Sequence, residues 1–155
     1  MRLGDPRRIG ALSALLLMLS ACTQTIAAYN VETYRAATTL KVETDTLLQK
    51  ATEPFAGHEA EAVALEAKLK AASDLAAAIP RNENAAAQWR IMSDPGGHMA
   101  GGTLARWRRD GTLGAAFLTE QRPQIAEGFD YIICLELNKL AERKCAAGGA
   151  VPGGE

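Results

Sequence analysis

The residues that could do chemistry begin with His58, which opens the segment His58-Glu59-Ala60-Glu61-Ala62. A zinc-peptidase helix needs histidines at positions i and i+4, so that both imidazoles reach one metal ion and the glutamate acts as base. Ala62 stands where the second histidine would be. The sequence therefore predicts no zinc site here. It favours a solvent-facing helix start, where the helix dipole stabilises acidic residues.

The other histidine, His98, lies near Asp94 in the glycine-rich segment 93–102. A histidine and an aspartate on a loop could form a general base, but that work needs a nucleophile or metal within hydrogen-bond reach. Ser93 and Thr103 belong to no nucleophile motif, and no Gly-Lys-Ser/Thr follows the glycines to hold phosphate. The pattern favours a mobile connector, with a catalytic or binding loop around His98 as the alternative.

Two cysteines near the end of the chain, Cys134 and Cys145, are candidates for a disulfide bond. In one continuous helix their Cα atoms would be about 16 Å apart, whereas a disulfide needs about 7 Å or less. They can pair only if the last helix ends early and the chain folds back. Otherwise we expect Cys134 to be a small buried side chain and Cys145 a partly exposed thiol.

Tryptophan and arginine occur together at two places, Trp89-Arg90 and the segment 106–109. Both residue types are enriched at binding hot spots and can dock anionic headgroups, glycans or a partner protein. The candidate binding surface is formed by Arg90, Arg106, Trp107, Arg108 and Arg109. Alternatively both indoles fill the core and the arginines are solvated, because the chain has few other large side chains.

The N-terminal segment carries the most specific pattern. Three arginines precede an apolar stretch over residues 9–19, which ends in Leu19-Ser20-Ala21-Cys22. The stretch is shorter than the roughly 20 residues of a membrane-spanning helix and suits a cleaved signal peptide. The four-residue motif resembles the lipobox of bacterial lipoproteins.

The resemblance covers residues 1–22 and implies cleavage before Cys22, with diacylglycerol on its sulfur and a further acyl chain, such as palmitate, on its amino group. Two or three chains anchor stably, because each buried methylene contributes about 0.8 kcal/mol. The mature protein is then expected on the periplasmic or extracytoplasmic face of a membrane. Thr23, where an inner-membrane lipoprotein tends to carry aspartate, favours the outer membrane of a diderm cell. The alternative is an ordinary signal peptide cut near Ala21.

Charge limits the function of the remaining chain. Removing residues 1–21 takes three arginines and one aspartate from 17 basic and 18 acidic groups, which leaves 14 and 17. That balance lacks the basic face of a nucleic-acid-binding protein. We predict a signal peptide at 1–21, a lipidated N-terminus at 22–24, one helical domain at 25–145 and a disordered tail at 146–155.

Helical periodicity dominates the predicted domain. Apolar residues recur three or four apart over 25–51 and 58–79, and the short connection between them predicts an antiparallel pair. Shorter helices are expected at 82–92, 103–110 and 112–120. Pro123 is expected to open a last helix reaching 144, because proline at the first helical position loses no needed donor. On that helix Glu136 is expected to pair at the surface with Lys139 or Arg143, and the alternative is a buried functional carboxylate. The predicted fold is all-α, a small helical bundle with an N-terminal long helical hairpin.

These patterns predict a lipid-anchored cell-envelope protein that acts as a binding or structural component, a scaffold or accessory, at the membrane surface. No catalytic residue, metal or cofactor is assigned. The predicted partners are the membrane, through Cys22, and an unidentified envelope protein, with no nucleic acid. Two alternatives are a cell-wall or envelope enzyme or accessory with a site around His98, and a self-assembling coiled-coil protein built on the hairpin.

Overall fold

The computed structural model describes residues 26–140 and Cys145, and within them the chain forms helices and no strand. The prediction of an all-α fold is confirmed. The signal segment, Cys22 and the predicted tail lie outside the described residues. The helices are α1 (Val31–Leu48), α2 (Glu59–Ala78), α3 (Glu83–Ser93), α4 (Ala100–Asp110) and α5 (Ala115–Leu137), with a 3₁₀ turn at Phe55–Gly57.

Backbone hydrogen bonds show which connections meet at each end of the bundle. At one end, Ala27 N–H donates to the Arg81 carbonyl at 2.9 Å, so the start of α1 meets the α2–α3 connection. We call this end the base (residues 26–32, 79–85, 134–140 and Cys145). At the other end, Phe55 N–H donates to the Gly111 carbonyl at 2.7 Å. We call this end the top (residues 49–58 and 110–115).

The helices pack in a closed ring. α1 contacts α2 and α5, and α3 contacts the same two helices from the other side. α4 contacts α2, α3 and the 3₁₀ turn, so α3 and α4 together run from the base to the top. The fully buried aromatic side chains between the helices are Trp89, Trp107 and Phe129.

The beginning of α1 is set by Asn30. Its Oδ1 accepts the N–H groups of Glu32 at 2.9 Å and Thr33 at 3.0 Å. These are two of the four N–H groups that a helix start leaves without a partner. The predicted start at residue 25 is therefore too early, because Ala27 is already bonded to the α2–α3 connection in a non-helical segment.

Helix α5 differs most from the prediction, because it replaces two predicted helices and contains Pro123 in its interior. Proline removes one helical hydrogen bond, here to the Thr119 carbonyl, and costs about 3 kcal/mol. Pro123 is exposed, so water can reach that side of the helix. Leu118 and Ile125, on either side of it, are both buried. Continuous packing of one apolar face therefore outweighs the local cost.

Part of the glycine-rich segment is helical, because α4 begins at Ala100 and not near Thr103. Gly101 and Gly102 are buried in its first turn. A Cβ atom on Gly101 would overlap the Ser93 carbonyl, and one on Gly102 would overlap the Gly97 carbonyl. These glycines therefore allow the backbone of α4 to approach the preceding turn closely.

Candidate functional site

A buried ion pair lies at the base. Glu136 is fully buried, and its Oε1 lies 2.6 Å from Nζ of Lys139, whose side chain is 8% exposed. The predicted partner is present, but the predicted surface location of Glu136 is wrong. The carboxylate lies where α5 meets the start of α1, and its Oε2 accepts the Asn30 N–H at 3.3 Å.

Asn82 extends this pair into a network that we call the basal polar cluster (Asn30, Asn82, Glu136 and Lys139). Asn82 is buried, its Oδ1 accepts Lys139 Nζ at 2.6 Å, and its Nδ2 donates to the Ala76 carbonyl at 2.9 Å. Asn82 precedes α3 but gives that helix no side-chain cap. The cluster thus joins the end of α2, the start of α1 and the end of α5.

A cavity of about 210 Å³ adjoins the basal polar cluster. Lys139 and Asn82 line one side, and Ile26, Ala27 and Leu135 contribute apolar surface. An ammonium group has three donors, and two of those on Lys139 are taken by Asn82 and Glu136. The cavity is smaller than the roughly 300–1,000 Å³ of usual ligand pockets, and none of the described residues that line it is a histidine, cysteine, serine or threonine. The arrangement is suited to holding the base together.

The two C-terminal cysteines also lie at the base. The structure joins Cys134 to Cys145 by a disulfide, with their Cα atoms 5.6 Å apart. Because α5 ends at Leu137, Cys145 can lie beside the last turn of the helix. Its N–H donates to Oδ1 of Asn138 at 2.9 Å.

Of the five residues of the candidate binding surface, Trp107 does not belong to it, because it is fully buried. Its indole N–H donates to the Glu53 carbonyl at 3.0 Å, and its ring meets Phe55 edge-on at 5.4 Å. Trp89 is also fully buried and meets Phe129 edge-on. Both indoles therefore belong to the core, which was the alternative considered from the sequence.

The four arginines of that surface are exposed. Arg106 and Arg109 both bond to Asp110, at 3.2 and 2.9 Å. Arg108 bonds to Glu66 at 2.8 Å, and this hydrogen bond raises the pKa of the Arg108 guanidinium. Arg90 has no ion pair among residues 26–140 and Cys145.

Arg90 and Arg108 border a groove of about 690 Å³ between α2, α3 and α4, which we call the mixed-charge groove. Its other charged residues are Glu66, Lys70, Asp74 and Asp94. The groove therefore presents three cations and three carboxylates. Such a groove would suit a partner protein whose polar surface also carries both signs of charge. Because these charges sum to zero, the groove offers a polyanion no net attraction.

Among the residues that the structure describes, no catalytic group of side chains surrounds His98. His98 is exposed, and its carbonyl accepts Gln121 Nε2 at 2.5 Å. Asp94 Oδ1 accepts the Gly96 N–H at 2.8 Å. Glu136, a second carboxylate that could have paired with His98, is 15 residues beyond Gln121 on α5, which corresponds to about 22 Å of helix. Within residues 26–140 and Cys145, no group of three metal-ligating side chains is found.

His58 is not the solvent-facing residue that the sequence suggested. Its side chain is 13% exposed, and its ring lies 5.5 Å from that of Trp107. Nε2 is 2.8 Å from a Glu53 oxygen, and Nδ1 is 3.5 Å from Glu61 Oε1. Lys50 Nζ donates to the other oxygen of Glu61 at 2.7 Å. These contacts form a hydrogen-bond network at the top, over the buried indole, and Lys50 and Glu61 are an ion pair within it.

This network predicts an acid-dependent loss of stability. Hydrogen bonds from Lys50 and His58 hold the pKa of Glu61 below its usual value of 4.5. Because the pKa is lowered in the folded state, the stabilisation is complete above that value and is lost as the pH falls through the folded pKa. In urea titrations between pH 6 and 3, Glu61→Gln should lose less stability on acidification than the parent. Glu127→Gln removes an exposed carboxylate of α5 and is the control. An equal effect of both substitutions would contradict the assignment.

Comparison with known proteins gives no family. No protein-family model, curated protein or solved structure matches this chain. Among the helices of residues 26–140, none is both long and apolar enough to cross a bilayer.

Proposed function

We propose that this chain is a lipid-anchored protein of the bacterial cell envelope, a scaffold or accessory that binds a partner at the membrane surface. The observation that carries the proposal is Leu19-Ser20-Ala21-Cys22 behind a short apolar stretch with basic residues before it. Acyl chains on Cys22 would hold the domain on the extracytoplasmic face. Thr23 favours the outer membrane if the cell is diderm.

The proposed mechanism is tethering. Confinement by the acyl chains raises the effective concentration of the domain for a partner in the same envelope, without any new contact. The partner would be a protein, because the mixed-charge groove presents both signs of charge at its rim. Arg90 is the favoured anchor for that partner, since its guanidinium is exposed and has no ion pair in the described part of the chain.

The proposal includes the long N-terminal hairpin of residues 25–79. Contact between α1 and α2, and the hydrogen bond from Ala27 to Arg81, support this arrangement. Its exposed side is the second proposed contact surface, beside the mixed-charge groove.

The decisive test is Cys22→Ala. We expect the variant to leave the membrane fraction, because the anchor is lost, while the native protein carries acyl mass on this residue by intact-mass spectrometry. Thr23→Ala, at the adjacent position, is the control and should stay in the membrane fraction. Unchanged fractionation of Cys22→Ala, or a native protein without acyl mass, would refute the proposal.

A further inference from the structure

We infer that the base of the bundle rests on the bilayer, with Ile26, Val31 and Leu140 in contact with lipid. The inference rests on the proposed acylation of Cys22. These three side chains are 56%, 44% and 36% exposed. All three lie at the base, which is also where the described residues begin.

The length of chain before the domain limits how far the base can be from the membrane. Ile26 is four positions after Cys22, with three residues between them. A fully extended chain spans at most about 3.5 Å per residue, so the two Cα atoms are within about 14 Å of each other. The polar headgroup layer on each side of a bilayer is about 5–8 Å thick. An acylated Cys22 therefore places Ile26 within or just above this layer.

The chain is attached to the bundle directly after Ile26. Ala27 is 6% exposed, and its N–H donates to the Arg81 carbonyl. The Asn30 N–H donates to the buried Glu136 carboxylate. Because residues 27 and 30 are fixed to the bundle, the spacer between the acylated Cys22 and the domain consists of residues 23–25. A spacer this short holds the base, and not the top, next to the membrane.

The charges of the base favour contact through apolar side chains. Glu136 and Lys139 neutralise each other within the basal polar cluster. The exposed charged residues of the base, among those the structure describes, are Glu32, Arg81 and Glu83. Their sum is −1, so the described residues give the base no excess of positive charge with which to attract anionic lipid. We therefore commit to zwitterionic lipid as the partner, with binding that depends little on salt.

The test uses a photoreactive benzoylphenylalanine at position 26 or 140 of the full chain, isolated with its native acyl groups and placed in phosphatidylcholine vesicles. The matched control is the same residue at position 63, since Val63 is 49% exposed in the first turns of α2. Position 63 lies about 22 Å of helix from the end of α2 at the base. We expect crosslinking to lipid at positions 26 and 140 and loss of most of that labelling at position 63, because this position lies far along the helix from the base.

Two readouts separate the possible failures. Intact mass and vesicle co-flotation of the same samples report acylation, and their failure refutes the proposed function itself. If the protein is acylated and vesicle-bound, equal labelling at positions 26 and 63 overturns only the orientation. So does crosslinking of position 26 to a second protein chain in place of lipid. All three positions are exposed, so circular dichroism should show an unchanged helical fold.

Discussion

Replacing Lys139 by methionine should lower the free energy of unfolding by about 3–5 kcal/mol, because it leaves the Glu136 carboxylate buried without its cation. Glu136 is fully buried and, among the described residues, would keep only the Asn30 N–H as a hydrogen-bond partner. Asn82 Oδ1 would lose its donor as well. Urea unfolding at pH 7, with the disulfide intact, measures the change.

A double substitution distinguishes an unpaired charge from a general packing defect. Glu136→Leu combined with Lys139→Met removes both charges, and replacing a buried ion pair by apolar side chains is often neutral or stabilising. We expect the double variant to recover most of the loss, with a coupling of about 2 kcal/mol or more. The matched control is the Lys70–Asp74 pair, which has the same 2.6 Å separation but is 74% and 65% exposed.

For that exposed pair, Lys70→Met should change the unfolding free energy by less than about 0.5 kcal/mol. If Lys139→Met cost no more than Lys70→Met, burial of the basal pair would be incorrect. The same result would also argue against a rigid base, because Glu136 is the group that holds Asn30 there.

The second large effect is expected from Gly102→Ala, which should destabilise the fold by about 1–3 kcal/mol. Helix propensity alone favours alanine over glycine by roughly 1 kcal/mol. A measured loss of stability would therefore show that the steric overlap outweighs the gain in helix propensity. The added Cβ would overlap the Gly97 carbonyl, a backbone group that cannot rotate away as a flexible side chain can. Thermal unfolding followed by circular dichroism measures the shift.

Gly114→Ala is the matched control for this substitution. Gly114 precedes α5 with φ −67°, and a Cβ there would meet no heavy atom within 4 Å. We expect its melting temperature to be unchanged or slightly higher, because alanine restricts the unfolded chain. A more stable Gly102→Ala protein would mean that the turn at residues 94–99 moves aside, and would contradict the close approach of α4.

Local periodicity was sufficient to predict helices and the buried faces of α1 and α2. Leu40 and Leu47 on α1, and Leu65 and Leu69 on α2, are all buried as their spacing indicated. Such positions are three or four residues apart, so one short window contains the whole signal. The anchor is also a local pattern. Because the described residues begin at Ile26, Cys22 stays a prediction.

The sequence by itself therefore determined the all-α class and the inner faces of the long helices, because both depend on neighbours within a few residues. Only the tertiary structure decided the burial of Glu136, whose carboxylate meets Asn30 across 106 positions of sequence. It likewise decided that Pro123 stays inside α5 and that α4 needs Gly102. Each of these outcomes depends on which segment packs opposite the residue, and no local pattern contains that information.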